Sequence, residues 1–343
     1  MPSAIPPSLA SYIQASLDSQ SQTLITSVLS TPSTWLALRV VYAAIHGVED
    51  ISRGHSLGLG SSHNAVESRP VIFVSLLRPL SLWSEMGRKM GLDVQSLLRS
   101  KKIMYIDCLS LPSGHPSSPA DALVPPTIKL KSLALSAVRD AVDTALKSMA
   151  SSSATANATA TATSSQSPSI MTASSSAIPT PRMPPPPASR PPAASPSTPV
   201  PSTKPVILLD GIDFVLSSQP SCSTLTLDSF LSSLRAQCHA LVVTGNADAP
   251  LLHTAGSDIS PGTPLERNHA HFLTSMAHRC QWVWQLRGLD TGSAKDVTGV
   301  LRMSRGGDLG SEEDEIGPER LPDAEWLYQV KGDSSVRVWS RGE

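Results

Sequence analysis

One stretch limits what this chain can fold into more than any other: Lys204-Pro205-Val206-Ile207-Leu208-Leu209-Asp210-Gly211-Ile212-Asp213. An unbroken apolar run of this length reads as a strand buried on both faces of a parallel sheet. It ends in an acid, and the carboxyl ends of such strands are where α/β proteins place their ligand chemistry. In ATPases with a phosphate-binding loop, an Asp at that position holds the water shell of Mg²⁺, so the run reads as a Walker-B-like strand. The same residues also fit a plain central strand with a capping Asp at its end.

The flanking sequence places this strand in an alternating pattern. A short apolar piece around Leu9, Tyr12, Ile13 and Leu17 predicts one N-terminal helix inside an extension over 1–22. Residues 23–30 are β-branched and apolar enough for a first strand, and Trp35 to Ile45 predicts a largely buried helix with a Ser or Thr as its N-cap. Val71 to Leu77 and Ile103 to Asp107 predict two more strands, with a helix over 82–89 that Gly91 would close. Thr127 to Met149 carries an amphipathic pattern and predicts a single helix. Beyond Asp213 the chain predicts a helix over 225–238, a strand over 240–244, and a helix opened by Thr263-Pro264-Leu265-Glu266. Strands at 282–286, 297–303, 326–330 and 336–339 then follow without long helices between them. Strand-helix-strand alternation followed by consecutive strands predicts a RecA-like α/β fold: a mainly parallel sheet flanked by helices, with an antiparallel C-terminal edge.

Between 151 and 204 the chain is mostly Ser, Ala, Thr and Pro, with no acid and no aromatic. Such a tract cannot bury enough apolar surface to offset its ordering entropy, and it reads as a long disordered insertion. It divides the expected domain into 23–150 and 205–343. The loops at 47–69, with Gly58-Leu59-Gly60, and at 308–325, with eight acids, read as solvated insertions. The net charge of -1 over 343 residues excludes a protein that binds nucleic acid by bulk charge. Cys108, Cys222, Cys238 and Cys280 have no close pairing and suit buried thiols in a reducing compartment. No Lys or Arg precedes Arg39, so neither a signal peptide nor a membrane span is expected.

If Asp210 held Mg²⁺, the turn after the first strand should supply glycine amides and a lysine for phosphate. That turn is Thr31-Pro32-Ser33-Thr34, and no lysine precedes Lys89. The chain is therefore not expected to bind and hydrolyse ATP by itself, and no cofactor is implied. In the order Ser27 to Leu36, Val71 to Leu77, Val206 to Asp213, Thr263 to Arg267 and Leu286 to Gly307, the sequence resembles the Elongator complex protein 6 family. That resemblance implies a RecA-like subunit without ATPase motifs, in a hetero-hexameric ring with Elongator complex proteins 4 and 5. It further implies that the ring binds tRNA and serves wobble-uridine modification in the cytoplasm, with the nucleus as a second compartment. Two other readings are a P-loop ATPase paralog of the recombinase or circadian-clock type, and a protein adaptor with no RNA contact.

Other chemistry is poorly supported. Asp290-Thr291-Gly292 has no second copy to make an aspartic-protease pair, and His269, His271 and His278 lack the spacing of a zinc helix. Asp210 and Asp213 are expected as a remnant that hydrogen-bonds neighbouring amides. Arg267, Arg287, Arg302 and Arg305, at a helix start and near strand ends, are the candidates for subunit-interface or tRNA contacts. Loop-closure entropy varies slowly with length, so replacing 151–204 by a short Gly/Ser linker is expected to leave the thermal midpoint nearly unchanged. A large fall in that midpoint, read by calorimetry, would show that the tract packs against the domain.

Overall fold

The computed structural model describes residues 5–48, 68–110, 127–163, 204–219, 221–253, 262–292, 294–307 and 321–342; side chains of 151–163 are not described. Met1–Met149 and Thr203–Glu343 make up one compact unit, and Ala150–Ser202 a second. In the first unit a ten-stranded sheet runs in the order β10-β9-β8-β7-β1-β6-β5-β2-β3-β4. Its parallel part is β7 (Trp282–Arg287), β1 (Ser21–Ser27), β6 (Ala240–Asn246), β5 (Val206–Asp210), β2 (Val71–Ser75), β3 (Ile103–Asp107) and β4 (Thr127–Lys129). β8 (Gly299–Arg305), β9 (Ala324–Val330) and β10 (Val336–Ser340) extend it antiparallel from β7. The expected mainly parallel α/β sheet with an antiparallel C-terminal edge is present.

Helices cover both faces, which is why the parallel strands read as continuous apolar runs rather than alternating ones. Along β5, Val206 and Leu208 enter one core while Ile207 and Leu209 enter the other. The first core is closed by α1 (Pro7–Ser16), α2 (Thr34–His46), α3 (Leu80–Met90) and α4 (Val94–Arg99). The second is closed by α5 (Leu135–Thr163), the short α6 (Phe214–Ser218), α7 (Thr224–Gln237) and α9 (Pro264–Arg279). A further short helix, α8 (Ala249–Leu252), follows β6. Trp282, Trp284 and Trp326 belong to the first core, where Tyr12 stands edge-on to the rings of Trp282 and Trp326. Each of these aromatics buries a large area, so the antiparallel wing is packed rather than appended.

Several expectations change. The segment read as an N-terminal extension is part of the fold: Leu9 and Ile13 of α1 are fully buried, and β1 already begins at Ser21. The expected single helix over 127–149 opens with β4, and its helical part starts only at Leu135. Thr127 and Ile128 are β-branched, and the pairing of Tyr105 to Asp107 with Thr127 to Lys129 overrides the helical periodicity. Ser33 sits at the N-cap of α2 in helical conformation and makes no side-chain cap bond. Backbone helix in α5 continues to Thr163, beyond the expected start of the insertion, and 164–203 lie outside the described residues, as do 49–67 and 308–320. Glu325 belongs to β9 and not to a solvated loop.

The α9 start matches expectation closely. Thr263 accepts from the Glu266 amide while Glu266 accepts from the Thr263 amide, with Pro264 in the first turn. At the other end of α9, the Gly306 amide donates to the Gln281 carbonyl and the Gly307 amide to that of Ala277, at 3.0 and 3.1 Å. A Cβ on Gly306 would strike the Cys280 carbonyl oxygen. Gly306→Ala is therefore expected to destabilise the protein by about 1–3 kcal/mol, as over-packing does when backbone cannot yield. Chemical denaturation would measure this, and an unchanged midpoint would contradict the packing described.

Candidate functional site

The carboxyl ends of β1, β6, β5 and β2 frame a cleft of about 230 Å³, lined by residues that include Ser27, Ser33, Arg78, Asp213, Thr244 and Asn246. β6 lies between β1 and the acid strand β5. The turn from β1 into α2 is short, closed by the Thr31 amide on the Val28 carbonyl at 2.9 Å. Nothing in it can surround a phosphate, since it holds no glycine and no cationic side chain.

Asp210 lies at the floor of this region with no exposed surface. Thr244 Oγ1 donates to its Oδ1 at 3.1 Å, and Ser75 Oγ lies 3.0 Å from its Oδ2. The decisive partner is Arg78, whose Nη1 forms a short ion pair with Oδ1. Burial pushes the Asp210 carboxyl up from its ordinary range, and Arg78, Ser75 and Thr244 oppose that rise. Arg78 is itself fixed: its carbonyl accepts from Tyr105 Oη at 2.9 Å, and its guanidinium lies 5.9 Å from the Trp83 ring centroid. Trp83 Nε1 in turn donates to Ser75 Oγ at 3.1 Å. Gly211, at φ +75°, donates its amide to Thr244 Oγ1; a Cβ there would strike Leu77. A side chain of this protein thus supplies the cation that a buried acid needs.

Asp213 stands one turn further on and is also buried. Its Oδ2 accepts from the Asn246 amide at 3.1 Å, and its Oδ1 has no hydrogen-bond partner. His269 of α9 faces it, with Nδ1 3.9 Å from Oδ2 and Nε2 2.7 Å from the Asn246 carbonyl oxygen. Because a carbonyl only accepts, Nε2 carries the hydrogen and Nδ1 is the nitrogen turned to the acid. Burial raises the Asp213 carboxyl, against the opposing pull of the Asn246 amide and His269. His269 is buried whereas His271 and His278 are exposed, so the three do not meet; among the described residues no cluster of His, Cys, Asp or Glu could hold a metal.

The structure does not gather the four candidate arginines into one patch. Arg267 is exposed in the first turn of α9. Arg287 ends β7, pairing with Asp290 at 2.9 Å and Glu325 at 3.3 Å. Arg302 is exposed in mid-β8, opposite Gln285 and Glu325. Arg305 lies opposite Trp282, its guanidinium 4.2 Å from that ring. Since Arg305 pairs at the start of β7 and Arg287 ends it, the two are separated by roughly 17 Å of strand. The residues that sequence reading missed are Arg78, Ser75, Thr244 and the pairing of His269 with Asp213. Arg78 was accessible to the same rule that singled out Asp210, being the first cation after the carboxyl end of a buried strand.

No protein-family profile matches the chain. Among curated proteins it is similar to Elongator complex protein 6 of Saccharomyces cerevisiae, 29% identical over 107 residues. That match covers 31% of this chain and 37% of the relative's length.

Removing Arg78 and removing Asp210 should not be equivalent. Arg78→Ala leaves a carboxylate buried without its cation, which costs about 3–5 kcal/mol, whereas Asp210→Asn leaves a guanidinium that is 23% exposed and can be hydrated. Adding Asp210→Asn to Arg78→Ala is therefore expected to recover much of the loss. The cost should also depend on pH. A carboxyl whose folded pKa is raised stabilises the fold in acid, and that stability is lost as pH rises through the folded value. Arg78→Ala raises the folded value further, so its cost should be greatest at neutral pH and shrink on acidification. Urea titrations of the double-mutant cycle at pH 7 and pH 5 would test this; a pH-independent cost would refute it.

Proposed function

We propose that this chain is a non-catalytic RecA-like subunit of Elongator type, assembled with Elongator complex proteins 4 and 5 into a hetero-hexameric ring that holds tRNA during wobble-uridine modification. The observation that carries the non-catalytic part is the Arg78–Asp210 ion pair in a crevice whose β1–α2 turn holds neither glycine nor lysine. An Asp held by an internal guanidinium has no free oxygen to organise a metal's water shell, and phosphate would find no backbone nest beside it. The similarity to yeast Elongator complex protein 6 supports the choice of complex. The parallel sheet with its antiparallel wing supports the fold assignment. The chain works in the cytoplasm and nucleus on this reading; among the described residues no helix is long and apolar enough to cross a membrane.

In this assembly Arg267 and Arg302, both exposed, are the arginines open to tRNA phosphate, while Arg287 is engaged within its own edge. Two measurements test the proposal. The purified chain is expected to show no saturable ATP binding by calorimetry, and to join Elongator complex proteins 4 and 5 in one species on sedimentation. Arg302→Ala in that species should weaken tRNA binding a few-fold and make its salt dependence shallower, with the ring intact. Micromolar ATP binding by the chain alone, or failure to associate with the two subunits, would overturn the reading.

A further inference from the structure

The antiparallel wing has two faces, and they differ in what covers them. On one face Leu301, Met303, Trp326 and Tyr328 enter the first core with α1 and α2. On the other, no residue of β8, β9 or β10 enters the second core or packs on it among the described residues. Strand register then gives this open face row by row. Arg287, Val300, Leu327 and Trp339 form one cross-strand row, and the last three belong to neither core. Gln285, Arg302 and Glu325 form the next row, which Arg341 extends with its Nη1 3.7 Å from Glu325 Oε1. Arg337, opposite Gln329, stands on the other side of Trp339.

Charge on this face is one-sided. Four guanidiniums share its rows with one acid, Glu325. Arg287 is paired with Asp290 and Glu325, and Arg341 with Glu325. Arg302 and Arg337 make no ion pair among the described residues, and both are exposed, as is Arg341. In a chain of net charge -1, this is a local concentration of cations. Along β10, Arg337, Trp339 and Arg341 alternate as cation, indole and cation, each about 7 Å from the next along the strand. The Arg337 guanidinium lies 5.2 Å from the centroid of the half-buried Trp339 ring, which is thus open to a planar partner.

We infer that the open face of the wing binds a single-stranded RNA segment, with Arg302, Arg337 and Arg341 on its phosphates and one unpaired base stacked on Trp339. This deepens the RNA part of the proposed function and rests on it only for which RNA is bound. Exposed arginines alone are ordinary surface. Arginines flanking an indole on an uncovered sheet face have the composition of a single-strand platform, where cations follow the backbone and bases stack on rings or guanidinium planes. An acidic protein segment is the competing occupant, the run at 308–320 of this chain included. It would satisfy the guanidiniums and leave the indole without a planar partner.

The test measures binding of a fluorescent, unstructured oligoribonucleotide to the isolated full chain by anisotropy. Trp339→Ala is expected to weaken binding about fivefold or more, the share of one stacked base, with the salt dependence unchanged. Trp339→Phe, which keeps a ring, should retain most of the affinity, so that stacking is separated from folding. Arg302→Ala with Arg337→Ala should weaken binding and make its salt dependence shallower, by about 0.7 in slope per arginine, at an unchanged thermal midpoint. The same oligonucleotide annealed to its complement, or a polyglutamate peptide, should bind more weakly. Either binding as tightly as the single strand would overturn the inference, as would variants that bind like the parent or a parent that binds no oligonucleotide. None of these results bears on assembly, and the ring reading fails separately if the chain does not associate with Elongator complex proteins 4 and 5.

Discussion

A carboxylate with no exposed surface is tolerated in this protein because a guanidinium reaches it from the loop that follows the neighbouring strand β2. The pairing of Asp210 with Arg78 draws in Ser75, Thr244, Trp83 and Tyr105, so the ends of β5, β2, β6 and β3 are tied by one polar network. Desolvating two opposite charges is unfavourable, and the hydrogen bonds around them offset that penalty only if their geometry is kept. The network therefore fixes the relative positions of the loops on this side of the sheet.

The parallel sheet was legible in the sequence because burial on both faces writes itself as unbroken apolar runs; the strand read over 205–213 is present as Val206–Asp210, ending at the acid. The α9 start was legible for a different reason: Thr263-Pro264-Leu265-Glu266 specifies a local hydrogen-bond pattern that needs no tertiary context. β4 was not legible, since three residues carry too little periodicity and only Tyr105 to Asp107 makes Thr127 to Lys129 a strand. A Ser or Thr was expected as the N-cap of α2, and Ser33 holds that position without a side-chain cap bond, because residue type alone does not reveal that its backbone is already helical. In the site, the acids were visible and their partners were not. Arg78 lies 132 residues from Asp210 in sequence, so its place after a buried strand marked it as a candidate cation without naming its partner.

The four arginines illustrate the same limit from the other side. They were grouped because they cluster in sequence near strand ends, yet a hairpin sends its two ends in opposite directions. Arg287 and Arg305 consequently point to different regions of the molecule, one engaged with Asp290 and Glu325 and the other over Trp282. Proximity along an antiparallel pair depends on register, and register is set by the turn and by which face must be buried. The tryptophans behaved more simply: alternation along β7 put Trp282 and Trp284 on one face, and that face is core.

Helix α9 touches both ends of this architecture. Near its start His269 presses against Asn246 and Asp213, and at its last turns the backbone is backed by Gly306 and Gly307 as they leave β8. Sixteen residues of helix form a strut about 24 Å long. With no room for a Cβ at Gly306, the strut's base cannot slide along the antiparallel wing. Cleft and wing are thereby the two footings of one helix: His269 meets the cleft acid near its start, and Gly306 and Gly307 bear on its last turns.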